Sequence, residues 1–314
     1  MVVVADNCTD DTAAISAARG AEVVERYDPA RRGKGFALQA GVEYLRSDPP
    51  EFLIVIDADC RLKSDVLRKL TAHSQLYGKP AQSAYLMSPP SADETGPARV
   101  AHFGFLMKNY IRPLGLTKLG LPCQLTGSGM IFPWTTIASM NFATDNLVED
   151  VKLGLDLAAA GAAPRFCYES LVESNFPAAQ DSRITQRRRW EVGSLRIALR
   201  DAPYYFLKGV REQNYSLLVL ALDAAVPPLV VLTVAVAGVG ALSVLPLLGG
   251  NLVPFYIASS SLLFFSLSIG LSWFAFARHI LRLRDGPQIL VYGLQKLRIY
   301  KPGRRVEWLR TDRQ

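Results

Sequence analysis

Phe52-Leu53-Ile54-Val55-Ile56-Asp57-Ala58-Asp59 decides how this chain is read. Five apolar residues in a row are too few for a helix and suit a strand buried on both faces. The two aspartates that follow stand one residue apart, so both leave an extended backbone on the same side. Upstream, Val2–Val4 and Ala21–Glu25 read as further strands, with Thr12–Arg19 and Gly35–Arg46 as the helices between them. Strand, helix, strand, helix, strand at this spacing predicts an α/β domain with a mainly parallel sheet. In such sheets ligands collect at the carboxyl ends of strands, where Asp6 and Asp57 both fall.

Further along, helices are expected over Val100–Tyr110, Leu147–Ala160 and Ile184–Leu199, and a Pro/Ser/Asp loop over Pro89–Pro97. The composition then changes. No Asp, Glu, Lys or Arg occurs from Ala224 to Ala277, and two bilayer crossings of ~20 residues each fit that length. One span is expected within Ser216–Leu248 and a second within Leu252–Ala277, joined at Gly249-Gly250-Asn251. A purely soluble protein is thereby excluded. The expected division is 1–205 for the α/β domain, 206–215 for an interfacial link, 216–280 for two membrane helices and 281–314 for a basic tail. The net charge of +7 belongs to the stretch from Arg278 to the end. From Arg278 onward there are ten Lys/Arg against three Asp/Glu, and the rest of the chain balances. A basic segment beside a span marks the cytoplasmic side, so the α/β domain and the tail are expected there, in contact with membrane lipids. No basic face points to nucleic acid. Four scattered cysteines and three scattered histidines give neither a disulfide framework nor a zinc motif.

Several side chains could carry chemistry. Asp57 and Asp59 offer hard oxygen ligands of the kind Mg²⁺ uses together with phosphate. Asp6 is free for a ligand if Thr9 or Asp10 caps the following helix. Lys34, in Arg31-Arg32-Gly33-Lys34-Gly35, lies between glycines before a helix, a setting that can meet phosphate with backbone and side chain together; an exposed basic loop is the plainer reading. Glu149 and Asp150 open a helix, where acidic residues complement the dipole. Gln186-Arg187-Arg188-Arg189-Trp190 reads equally as an interfacial helix gripping anionic lipid.

The ordered set says more than its members. A strand-end Asp, a Gly-Lys-Gly turn, Asp57-x-Asp59, Glu149-Asp150, Gln186-x-x-Arg189-Trp190 and then membrane spans resembles the family 2 glycosyltransferases. The likeness is to the membrane-bound branch of cellulose, hyaluronan, chitin and poly-N-acetylglucosamine synthases. It implies a GT-A fold followed by membrane helices, and inverting transfer of a sugar from a nucleotide-sugar donor. It further implies that Asp6 contacts the donor nucleoside, Lys34 lies near the base or diphosphate, and Asp57 and Asp59 hold Mg²⁺ or Mn²⁺. Asp150 corresponds to the catalytic base beside Glu149 at the acceptor. Gln186 and Arg189 grip the leaving diphosphate, Trp190 walls the acceptor site, and Gly127-Ser128-Gly129 lies beside the acceptor sugar.

The family's domain opens with a strand and helix that precede the segment corresponding to Val2–Val4, so a first strand is expected to be missing. The alternative is a short form in which Val2–Val4 pairs directly with Phe52–Ile56. With only two spans, the acceptor is a saccharide or polysaccharide exported by a partner, or a lipid-linked molecule receiving one sugar. A non-catalytic membrane scaffold is the competing non-enzyme reading. A transporter is disfavoured because neither span contains a charge.

Overall fold

The computed structural model describes residues 1–88, 95–144, 146–176 and 180–297. The expected α/β domain followed by two apolar helices is present. The chain order begins β1 (Val2–Asp6), α1 (Thr12–Ala18), β2 (Glu22–Arg26), α2 (Lys34–Leu45), β3 (Phe52–Val55), β4 (Arg61–Leu62), α3 (Val66–Tyr77) and β5 (Ala81–Met87). It continues with α4 (Gly96–Leu106), a π-turn at Met107–Ile111, α5 (Arg112–Lys118), β6 (Met130–Pro133), α6 (Trp134–Ile137), α7 (Glu149–Ala159) and β7 (Arg165–Ser174). Most of the loop expected over 89–97 and the part of the basic tail beyond 297 lie outside the described residues.

The sheet differs from the expectation. It is mixed, with strand order β3-β6-β5-β7-β4. β6 runs antiparallel to both β3 and β5, β4 runs antiparallel to β7, and β5–β7 alone is parallel. The expectation of parallel strands came from the first three, of which β1 and β2 do pair in parallel. They form a separate two-stranded sheet. The pairing of Val2–Val4 with Phe52–Ile56 does not occur among the described residues: β3 takes β6 instead, with Leu53 opposite Phe132 and Val55 opposite Met130.

One helix joins the two sheets. A Cβ on Gly41 of α2 would lie 3.0 Å from Val4 Cγ2, so the helix lies close on β1. At its other end a Cβ on Gly35 would collide with the Phe142 carbonyl and sit 3.2 Å from that of Thr144. Only glycine allows the start of α2 to press this hard on 142–144. That contact fixes where Lys34, the first residue of α2, enters the domain.

The main core lies between the β3–β6 pair and the helices α2 and α7. Val42, Val55, Leu125, Met130, Phe132, Leu153 and Leu157 are buried together. The opposite face of α7, with Val151, Leu155 and Ala158, packs on Ile197, Tyr205, Leu217 and Leu220. Each fully buried Leu or Phe contributes about 1.5–3 kcal/mol, and α7 is held on both sides by such contacts. Its N-terminus, carrying Glu149 and Asp150, is therefore firmly placed.

The helical half comprises α8 (Gln180–Arg196), a π-turn at Ile197–Asp201, α9 (Ala202–Arg211) and α10 (Tyr215–Ala225). Asn214 caps α10, its Oδ1 accepting from the Leu217 N–H at 3.0 Å while its Nδ2 donates to the Ala158 carbonyl at 2.8 Å. Leu217, Leu220 and Ala221 are buried, so α10 packs as a core helix. After Val226-Pro227-Pro228 come α11 (Leu229–Leu242), α12 (Val244–Leu248) and α13 (Val253–Ser272), which a π-turn extends through Ala277. The stretches Leu229–Pro246 and Val253–Ala277 are long and apolar enough to cross a membrane and are almost unburied within the protein. Last, α14 (Gly286–Leu297) returns to the domain, where Lys296 pairs with Glu191 of α8.

Candidate active site

Lys34 is the hub of the cleft. Its Nζ forms an ion pair with Asp57 and donates to the Gly127 carbonyl at 2.5 Å. Burial opposes its charge, but Asp57, Glu149 and Asp150 outweigh that and hold the ammonium above the ordinary lysine value. Asp57 is fixed from a second side, since its backbone N–H donates to Ser128 Oγ at 3.1 Å. Thus α2, the end of β3 and the loop before β6 meet at one point.

That loop is shaped by two glycines in the left-handed region, Gly127 at φ 91° and Gly129 at φ 71°. Only glycine adopts such angles without cost. A Cβ on Gly127 would lie 3.3 Å from Asp150 Oδ2 and 3.5 Å from Lys34 Nζ, which measures how closely the carboxylate and ammonium flank the loop. Gln82, buried on β5, holds the loop from beneath. Its Nε2 donates to the Ser128 carbonyl at 2.8 Å, and its Oε1 accepts from the Thr126 N–H at 2.8 Å.

Glu149 and Asp150 are adjacent carboxyls at a helix start with no side-chain cap. Burial, then the charge of Asp150, push Glu149 up to about 7, against Lys34 and Arg189. Burial likewise raises Asp150, against the attraction of Lys108 and Lys34. Two carboxyls that close cannot both ionise freely, so the pair retains a proton nearer neutrality than either would alone. Beside them lies a cavity of about 260 Å³, walled by Leu38, Thr144, Glu149, Asp150, Lys152 and Asp156.

Asp57, Asp59 and Cys60 offer ligand atoms all within 4.8 Å of one another. Ser174 Oγ donates to Asp59 Oδ2 at 2.8 Å, and Ser128 Oγ donates to Cys60 Sγ at 3.1 Å. Two carboxylates at this spacing suit a hard divalent cation that takes its remaining ligands from phosphate and water. The donor set thus fits Mg²⁺ or Mn²⁺.

The other sequence-predicted residues lie at varying distance from this hub. Arg189 is close enough to Glu149 to act on its charge, and its Nε is buried without a hydrogen bond among the described residues. Gln186 is buried on the same helix. Trp190 packs against Phe105, ring centroids 6.0 Å apart. Asp6 is not left free: Arg26 Nη1 binds its carboxylate at 2.5 Å and Asn7 donates to it at 3.1 Å. The Arg26 guanidinium also lies over the Phe36 ring, 5.6 Å from its centroid, so Asp6 reaches the start of α2 only through that arginine.

Gln82, Ser174 and Lys108 belong to the site's surroundings without having been picked out in the sequence. Lys108 had a signal, being a lone charge in the apolar and aromatic run Val100–Tyr110. Gln82 and Ser174 had none, because their strands carry no clear period.

A family model described as glycosyl transferase family group 2 matches residues 52–277, from β3 through the second apolar helix. The α/β domain followed by two apolar helices is the GT-A-like arrangement expected from the sequence, with a mixed sheet in place of the mainly parallel one. No curated protein matched the chain. Among solved structures the chain is similar to glucosyl-3-phosphoglycerate synthase from Mycobacterium tuberculosis, crystallised with Mn²⁺, UDP-glucose and phosphoglyceric acid. That likeness has 18% identity over 63% of this chain and 67% of the other, with a TM-score of 0.39. The family match spans well over half of the sequence and takes in β3, the glycine loop, α7 and α8. By that match, the chain belongs to glycosyl transferase family group 2.

Proposed function

We propose that the protein moves a sugar, with inversion, from a nucleoside-diphosphate donor to a saccharide or polysaccharide acceptor at the cytoplasmic face of a membrane. The observation that carries this reading is the hub itself. Lys34 joins Asp57 to the Gly127 carbonyl, with Glu149 and Asp150 immediately beside them. Breaking a sugar–phosphate bond develops negative charge on the departing diphosphate, and fixed cations aimed at that charge stabilise it. Lys34 and Arg189 are the cations assigned to this role, with Gln186 on the same helix as Arg189. Asp57 and Asp59 would hold Mg²⁺ or Mn²⁺, which when bound neutralises the same charge.

Asp150 takes the proton from the attacking acceptor hydroxyl. Its neighbour Glu149 keeps the pair's protonation close to neutral pH, where a general base works best. With Asp150 as the single base and Glu149 assigned to the acceptor, transfer is one displacement, hence inversion. Gly127 and Ser128 belong to the loop that flanks Asp150 on the acceptor side, and Trp190 supplies an apolar wall against which a sugar face can stack. Asp6, held by Arg26, serves the nucleoside end. Two helices long and apolar enough to cross a membrane support a reaction at a membrane, in the manner of the membrane-bound synthase branch, with an export partner where the product is a polymer.

Membranes carrying the protein, given a panel of UDP-sugars with Mg²⁺ or Mn²⁺, are expected to release UDP. Release should require the metal and disappear in Asp150→Asn. Release that persists undiminished in Asp150→Asn would remove Asp150 as the base. Product length on a labelled donor then separates polymer synthesis from transfer of one sugar to a lipid-linked acceptor.

A further inference from the structure

We infer that a small cavity between the first π-turn, α8 and the end of α10 is an anion-binding subsite for the acceptor, with Lys108 as its cation. The inference rests on the glycosyltransferase reading and extends it by naming a chemical class of acceptor: one that carries a phosphate or carboxylate at or beside its attacking oxygen.

The cavity, of about 60 Å³, is walled by Lys108, Gln124, Thr126, Val151, Ser194 and Val226. Its position is the first argument. Val151 follows Asp150, and Thr126 precedes Gly127, so one wall is the back of the catalytic cleft. Val226 lies three residues before Leu229, where the first membrane-length helix begins, so the other wall is the foot of that helix. An acceptor held here is between the general base and the membrane.

Charge is the second argument. Two cations reach this cavity, Lys108 and Arg112. Arg112 is consumed internally, because its guanidinium binds both the carboxylate and the backbone carbonyl of Asp223. Lys108 is not consumed. Among the described residues its ammonium makes no hydrogen bond or ion pair; Asp150, Glu191 and Asp223 attract it from a distance while Arg112 repels it. Its side chain is exposed at the cavity, so the ammonium is open to a ligand. Glu191 and Asp223 are already engaged by Lys296 and Arg112, which leaves the Lys108 ammonium available to a ligand anion.

Unused polar atoms are the third. Thr126 Oγ1 and Gln124 Oε1 are both buried and without hydrogen bonds among the described residues. Buried polar groups are normally paired. The threonine hydroxyl can donate to an anion held by Lys108, and Gln124 Oε1 can accept from a hydroxyl or water beside it.

The test uses the full chain in nanodiscs, saturated with UDP so that the donor site is filled. Four probes are titrated: geranyl phosphate against geraniol, and glucuronic acid against glucose. At least one anionic probe should bind about tenfold more tightly than its neutral partner. Lys108→Gln should abolish that preference, Lys108→Arg should keep it, and UDP affinity should be unchanged in both. Preference confined to geranyl phosphate assigns the anion to a lipid link, and preference confined to glucuronic acid assigns it to an acidic saccharide. No preference for either anionic probe overturns the subsite, as does a preference that survives Lys108→Gln. Loss of UDP binding in Lys108→Gln also overturns it, by assigning the ammonium to the donor. Absence of UDP binding in the parent protein would instead sink the glycosyltransferase reading on which the subsite rests.

Discussion

Gly129→Ala tests whether the glycine loop is shaped by sterics, as its geometry requires. Gly129 has φ 71°, and its missing side chain faces β5 and β7. Left-handed backbone costs a non-glycine residue about 1–2 kcal/mol. The added Cβ would also overlap Ser83 Oγ and fall 2.8 Å from Val172 Cγ2. Both neighbours sit on the paired central strands β5 and β7, which cannot part without losing ladder hydrogen bonds. Overpacking of this kind costs about 1–3 kcal/mol, so the total is about 2–5 kcal/mol, a large share of the ~5–15 kcal/mol that a domain has. The matched control is Gly127→Ala. Its Cβ would meet nothing nearer than 3.3 Å, so only the backbone cost of about 1–2 kcal/mol applies, while the methyl intrudes between Asp150 and Lys34 and reduces turnover. Denaturant unfolding of the detergent-purified protein reads both. In a Ser83→Gly background the loss from Gly129→Ala should shrink toward the backbone cost alone. A Gly129→Ala protein within about 0.5 kcal/mol of the parent, or a loss undiminished by Ser83→Gly, would refute the steric account.

Other outcomes follow from the same geometry. Gln82→Leu leaves the Ser128 carbonyl and the Thr126 N–H without their partner; at about 1–3 kcal/mol per buried unsatisfied group, it should destabilise by about 2–6 kcal/mol and raise the donor KM. Asn214→Ala removes both the α10 cap and the tie to Ala158 and should cost about 1–2 kcal/mol by denaturant unfolding. Glu149 binds its proton more tightly folded than unfolded, so its stabilising contribution is complete below about 4.5 and is lost as pH rises through about 7; Glu149→Gln should flatten that part of the Tm–pH curve. The same substitution removes a like charge from Asp150, so the acid limb of the kcat/KM profile should move to lower pH.

The elements that the sequence made legible are those with a clean pattern. Phe52–Val55 is uninterrupted and apolar, and α2 and α7 begin at Lys34 and Glu149, close to where the glycines and acidic residues placed them. The central strands β5 and β7 were not legible. β5 begins Ala81-Gln82-Ser83, and β7 contains Glu169-Ser170. A register shift between Ser83 and Ala84 breaks the alternation further. Those polar interruptions are tertiary in origin, since Gln82 is polar because it holds the glycine loop. Without β5 and β7 the antiparallel insertion of β6 could not be foreseen, and a mainly parallel sheet was the natural expectation. At the site, Asp57, Lys34 and the Glu149-Asp150 pair could be read from local context. The Arg26 contact to Asp6 could not, because it depends on the parallel register of β1 and β2.

The strand order also bears on how the protein is made. No two neighbours in the five-stranded sheet are joined by a hairpin. Leu53 must wait for Phe132, Ala81 for Arg165, and Arg61 for Glu173. Pairings this distant along the chain form slowly, because loop-closure entropy is paid before the contacts repay it. At synthesis rates of roughly 5–20 residues per second, the first membrane-length helix, at Leu229, follows β7 within seconds. The five-stranded sheet therefore has only seconds to pair before that helix is made, and until it closes its apolar strands and their unpaired edges stay exposed.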